Sequence, residues 1–99
     1  MQEIALVSDI PGDRGLGVKV DGKNLALFKV GRRVYAVENS CPHAGAFLDQ
    51  SYKEGRVIRC PMHGWDFDLK TGESPTFVGI CVQTFPVRVR RGKVYLASA

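Results

Sequence analysis

Histidine and cysteine are scarce in this chain: of 99 residues, two are histidine and three are cysteine. Three cysteines is an odd and sparse set, whereas a small secreted domain braced by disulfides carries an even and denser one. Thiol ligation in a reducing compartment fits better. No run of about eighteen apolar residues occurs, which argues against a membrane-spanning helix. The first stretch, MQEIALVSDIPGD, has neither a basic leader nor a long apolar segment, so no signal peptide is expected and a cytoplasmic address is. A glycine-rich βαβ unit is missing too, which argues against direct oxidation of a bound nicotinamide cofactor. Nor does any segment keep a helical period for long.

What is present is ordinary for a globular protein. With 44% hydrophobic and 24% charged residues in 99, residues 1–99 form one domain able to carry one site. Net charge is +4, concentrated at Arg32 and Arg33 and at Arg88, Arg90, Arg91 and Lys93. These cations either solvate two hairpins or steer an acidic partner. Without an accompanying aromatic stripe they do not indicate nucleic acid.

Three stretches alternate apolar and polar residues around a glycine turn: VKVDGKNLALF, LFKVGRRVYAV and FPVRVRRGKVYLA. Each predicts a β-hairpin, with turns at Asp21-Gly22, Gly31-Arg32 and Arg91-Gly92. A further pair of strands, 56–59 and 65–69, brackets a cysteine loop, and residues 70–73 supply another turn. Residues 46–53 suit a short turn of helix, and Pro86 marks an edge or a bulge. The fold class is all-β, a small sandwich or barrel, into which residues 41–69 are inserted as the part that carries the site.

Within that insertion lie CPHAG and CPMHGW, which hold both histidines and two of the three cysteines. As a pattern they read Cys41-x-His43 and Cys60-x-x-His63. Zinc accepts two sulfurs and two nitrogens, but its small sites pair Cys with Cys and His with His. One Cys and one His from each loop suits two metals better than one. A 2Fe–2S cluster has two irons, and the form in which two His replace two Cys on one iron is the Rieske centre.

CPHAGAFLD and CPMHGWDFDLKTGE resemble the cluster loops of Rieske-type ferredoxins, and the closing FPVRVRRGKVYL resembles that family's last hairpin. The resemblance implies an antiparallel Rieske-like scaffold with a small cluster-binding subdomain at about 41–69. It also implies one 2Fe–2S cluster, with Cys41 and Cys60 on the inner iron and His43 and His63 on the outer. Gly45 and Gly64 are expected to turn the loops tightly and bring amides toward the sulfurs. Rieske proteins of cytochrome bc complexes add a disulfide between the loops, but here those positions are Ala46 and Met62. Where such relatives place Ser and Tyr donors, this chain has Trp65 and Phe67, which implies a potential of about −150 mV, low in the Rieske range.

Trp65 is expected either to shield the cluster or to serve as a half-buried aromatic. Pro42, Phe47 and Met62 form an apolar rim for a partner or fold into their own loops, and Cys81 is expected as a small buried apolar residue. With both histidines engaged, none is left for the 2-His-1-carboxylate iron of an oxygenase, so the chain is read as an electron carrier and not an enzyme. Its expected partners are a flavin-dependent NAD(P)H reductase and a terminal oxygenase or similar enzyme, docking near His43 and His63, with the carrier a monomer that binds neither nucleic acid nor membrane. Two other readings are a small Rieske subunit of a cytoplasmic nitrite reductase and a zinc-stabilised interaction module.

Overall fold

Turn chemistry sets the strand pattern. In the computed structural model, which describes residues 2–41, 47–62 and 64–97, Asp21-Gly22 has φ of 51° and 81°, and Arg91-Gly92 has 51° and 75°. Two successive residues at positive φ give the turn whose twist matches antiparallel strands.

Among the described residues the strands are Gln2–Leu6 (β1), Leu16–Val20 (β2), Lys23–Val30 (β3), Arg33–Glu38 (β4), Tyr52–Glu54 (β5), Val57–Arg59 (β6), Asp66–Asp68 (β7), Thr84–Phe85 (β8), Val87–Arg90 (β9) and Lys93–Leu96 (β10). They form three antiparallel sheets, ordered β1-β10-β9, β2-β3-β4-β8 and β5-β6-β7. All three hairpins expected from the sequence are present, β2 on β3, β3 on β4 and β9 on β10. The all-β class holds.

β3 and β4 separate two cores. Their side chains alternate with the two-residue period of a strand. Ala26, Phe28 and Val37 face one core, with Ile58 of β6 and Phe67 of β7. Leu27, Val34 and Ala36 face the other, with Ile10 and Val94 of β10. Coverage on both sides explains why 25–28 is an unbroken apolar run, all of it buried. Phe28 and Phe67 are fully buried, which stabilises the fold by about 1.5–3 kcal/mol each.

One expectation narrows, one is overturned and one strand is new. The short helical turn expected within 46–53 is a 3₁₀ turn over Leu48–Gln50, narrower than that span because the chain then extends into β5, where Tyr52 pairs with Arg59 of β6. Ala46 lies outside the described residues. Cys81 is exposed and not buried. In the extended stretch around it Ile80 and Val82 point into the core, so alternation turns Cys81 outward, where it bridges to Glu73. Finally, Gln2–Leu6, which has no strand signal of its own, is a strand because β10 pairs with it.

Strand direction gives the molecule two ends. β4 runs toward Cys41 and β6 toward Cys60, while β7 leads away. Arg32, Arg33 and Lys70 therefore lie at the end remote from the cysteines, where they line an open cleft containing no Asp or Glu.

Candidate metal centre

Cys60 directly follows β6, and Cys41 comes three residues after β4. Both are buried, Cys41 at 0% and Cys60 at 1% exposure. Both belong to the core formed by Phe28, Leu48, Ile58 and Phe67. Two loops far apart in sequence thus deliver their thiols to one apolar cluster, and no disulfide engages either of them or Cys81. His43 and His63, with Pro42, Ala44, Gly45 and Ala46, lie outside the described residues.

The second loop closes on its own cysteine. The Cys60 N–H donates to the Trp65 carbonyl at 2.6 Å, and the Gly64 N–H donates to the Cys60 carbonyl at 3.0 Å. Gly64 has φ of 71°, a conformation costly for a residue with a side chain. Its amide closes the loop on the carbonyl of Cys60, the tight turn expected of this glycine. Trp65 is half-buried against the cysteine-bearing core, and its ring lies 6.1 Å from that of Phe77, tilted by 39°.

Polar groups brace the surroundings. Around the first loop, Asp49 N–H donates to Asn39 Oδ1 and Asn39 Nδ2 donates to Asp49 Oδ2. Behind the second, the buried Asp66 carboxylate accepts from the Ser74 and Thr76 hydroxyls. Burial pushes the Asp66 carboxyl up, but the hydrogen bonds from Thr76, Ser74 and backbone, with the charge of Arg59, outweigh it and hold the group below the usual carboxylate value. Asp68 shows the same balance: burial raises it, and the Lys70 amide, Arg56 and the Thr71 amide bring it lower. Arg56 grips Asp68 through two hydrogen bonds, at 3.0 and 3.1 Å.

Phe47 and Met62 are 60% and 62% exposed, too far out to be packing inside their loops. Their exposure leaves both side chains available to a rim, while Pro42 and the two histidines lie outside the described residues. Sequence reasoning passed over Asn39, Asp49, Asp66, Ser74 and Thr76. The spacing of Ser74 from Thr76 and Phe77, a hydroxyl followed by amides it can cap, was the available signal.

Paired thiols held in an apolar core suit sulfur ligation of iron, since the surrounding hydrophobic shell controls solvent access and local dielectric. Residues 1–86 match the family model of the Rieske [2Fe-2S] domain, and the chain belongs to that family. The match indicates a Rieske-type 2Fe–2S cluster as its cofactor, which replaces the zinc reading.

Among curated proteins, the ferredoxin component of the naphthalene 1,2-dioxygenase/salicylate 5-hydroxylase systems of Ralstonia sp. is 38% identical over 95 residues, 95% of this chain and 91% of that one. A chain from the complex of reduced oxygenase and oxidized ferredoxin in carbazole 1,9a-dioxygenase superposes with a TM-score of 0.84 at 33% identity, over 96% of this chain and 99% of that one. A chain from Mycobacterium tuberculosis described as the small subunit of an NADH-dependent nitrite reductase gives a TM-score of 0.87 at 26% identity, over 99% of this chain and 94% of that one. The protein is a Rieske-type ferredoxin, an electron-transfer component and not a catalytic enzyme.

Proposed function

We propose that this chain carries single electrons from a flavin-dependent NAD(P)H reductase to a terminal oxygenase, with Cys41, His43, Cys60 and His63 as the cluster ligands. In this reading the cysteines take the inner iron and the histidines the outer one, within a cluster-binding subdomain at 41–69 of a single domain. The observation that carries it is the burial of Cys41 and Cys60 in one core. Bound there, the cluster supplies a one-electron couple, at a higher potential than four thiolates would give.

The chain's own residues supply the rest. Phe28, Ile58 and Phe67 exclude water from the thiols. Phe47 and Met62 present apolar surface beside the two loops, and partners dock there, near His43 and His63. Among the described residues no helix is long and apolar enough to cross a membrane. The carrier works as a cytoplasmic monomer.

Visible absorption and low-temperature EPR of the purified protein, before and after dithionite, test the ligand set. Wild type should be brown and give a reduced signal with a lower average g than four-cysteine clusters. Cys60→Ser should lose both features, and a Cys60→Ser protein with the wild-type spectrum overturns the assignment.

The likeness to a nitrite reductase small subunit supports a second reading. Stable copurification with a large siroheme-containing partner would select it over a diffusing carrier.

A further inference from the structure

Asp66 follows Trp65 in the chain, and the residue is only 5% exposed. Ser74 Oγ donates to Oδ1 at 2.7 Å, and Thr76 Oγ1 donates to Oδ2 at 2.6 Å. The Ser74 oxygen also accepts the backbone N–H of Phe77 at 2.9 Å and that of Thr76 at 3.3 Å. Ser74 N–H donates to the Ile80 carbonyl at 2.9 Å, closing the segment on itself. One hydroxyl therefore links a buried carboxylate in β7 to the residue whose ring lies against Trp65.

A buried carboxylate is costly to desolvate unless hydrogen bonds compensate, and here both side-chain donors come from the segment that carries Phe77. The segment itself is exposed, with Phe77 at 40% and Val78 at 101%. Little apolar burial holds it down, so the polar anchor decides where Phe77 sits.

We propose that Asp66, Ser74 and Thr76 form a latch that holds Phe77 against Trp65 and thereby keeps water from the second cysteine loop. This rests on the reading above that Cys60 is a cluster ligand. The three are positioning residues: they act through Phe77 and Trp65 on how long the cluster is retained and on its midpoint potential. The sign of the second effect follows from charge. Reduction adds one negative charge to the centre, and water stabilises the more highly charged form. Opening the latch raises the potential.

The test uses the cluster-loaded full chain as wild type, Phe77→Ala, the pair Ser74→Ala/Thr76→Val, and the triple variant. The pair keeps the Asp66 charge and removes its two hydroxyl donors together with the Ser74 acceptor of the Phe77 and Thr76 amides, at positions exposed enough to leave the core intact. Two quantities are measured, the rate at which a chelator bleaches visible absorbance and the midpoint potential. Phe77→Ala and the pair should each bleach about tenfold faster, the scale of a lost hydrogen bond to a charged group, and each should have a raised potential.

The triple variant should go no further than Phe77→Ala alone, because all the changes act through one contact. Thr76→Ser, which keeps the donor, should behave as wild type. Wild-type bleaching and potential in the pair overturn the latch, as does full additivity in the triple variant or an unaltered Phe77→Ala. A colourless wild-type protein would defeat the functional reading by itself. Emission from Trp65, the one tryptophan, would still show by its red shift whether the pair releases Phe77.

Discussion

Asn39 and Asp49 hold each other across the first cysteine loop, with Asp49 N–H to Asn39 Oδ1 at 2.9 Å and Asn39 Nδ2 to Asp49 Oδ2 at 3.3 Å. Each is tied outward as well, Asn39 N–H to the Asn24 carbonyl at 2.9 Å and the Asp49 carbonyl to Gly15 N–H at 3.0 Å. Both ends of the loop are thus moored to the central sheet and its neighbours before any ligand is considered.

Asn39→Ala leaves the Asp49 amide without its acceptor, so the variant should lose about 1–3 kcal/mol. At about 4–8 °C per kcal/mol for a domain this size, the fall in Tm is readily seen by far-UV circular dichroism. An unchanged Tm would show that the pair contributes nothing.

Ser51 presents the opposite case. It is fully buried, and its hydroxyl has no hydrogen-bond partner among the described residues. Ser51→Ala removes an unsatisfied polar atom and should raise stability by about 1–2 kcal/mol. A lower Tm in the variant would mean the hydroxyl is satisfied in solution.

Trp65 and Phe67 offer no hydroxyl to the site, and Phe67 is fully buried. Redox titration followed by circular dichroism should therefore give a midpoint of about −150 mV, the low end for Rieske centres. A positive midpoint would show that other donors compensate.

Asp66 and Asp68 both have carboxyls held below their ordinary value in the fold. Groups of this kind contribute stability above the unfolded value and lose it as pH falls through the folded one. Tm should be flat near neutrality and drop below about pH 4. Asp66→Asn should start lower and show a shallower drop, and parallel profiles for the two proteins would count against the linkage.

The chain carries a net charge of +4. If its redox partner is acidic where they meet, raising ionic strength from about 0.01 to 0.15 M shortens the screening length from about 30 to 8 Å and should slow electron transfer in a stopped-flow assay. Rates indifferent to salt would point to apolar docking alone.

Local chemistry made much of this legible in advance. Asp21-Gly22 and Arg91-Gly92 announce hairpins because few other residue pairs tolerate that backbone, and the Cys-His spacing announced the candidate site because so few such residues exist to be spent elsewhere. What the sequence concealed depends on distant partners. Gln2–Leu6 becomes a strand only against β10, and Cys81 turns outward only because Ile80 and Val82 claim the core. Asp66 looks like any exposed acid until the chain returns with Ser74 and Thr76.

The pairing of Gln2 with Leu96 bears on how the molecule comes to be made. β1 pairs with a strand that follows every other strand of the domain in sequence, and such long-range contacts are slow to form. The central hairpins and both cysteine loops lie between these strands. Closure of the β1-β10-β9 sheet therefore waits on contacts more distant in sequence than those of the central hairpins, and a chain without Lys93–Leu96 presents its cysteines on an unfinished base.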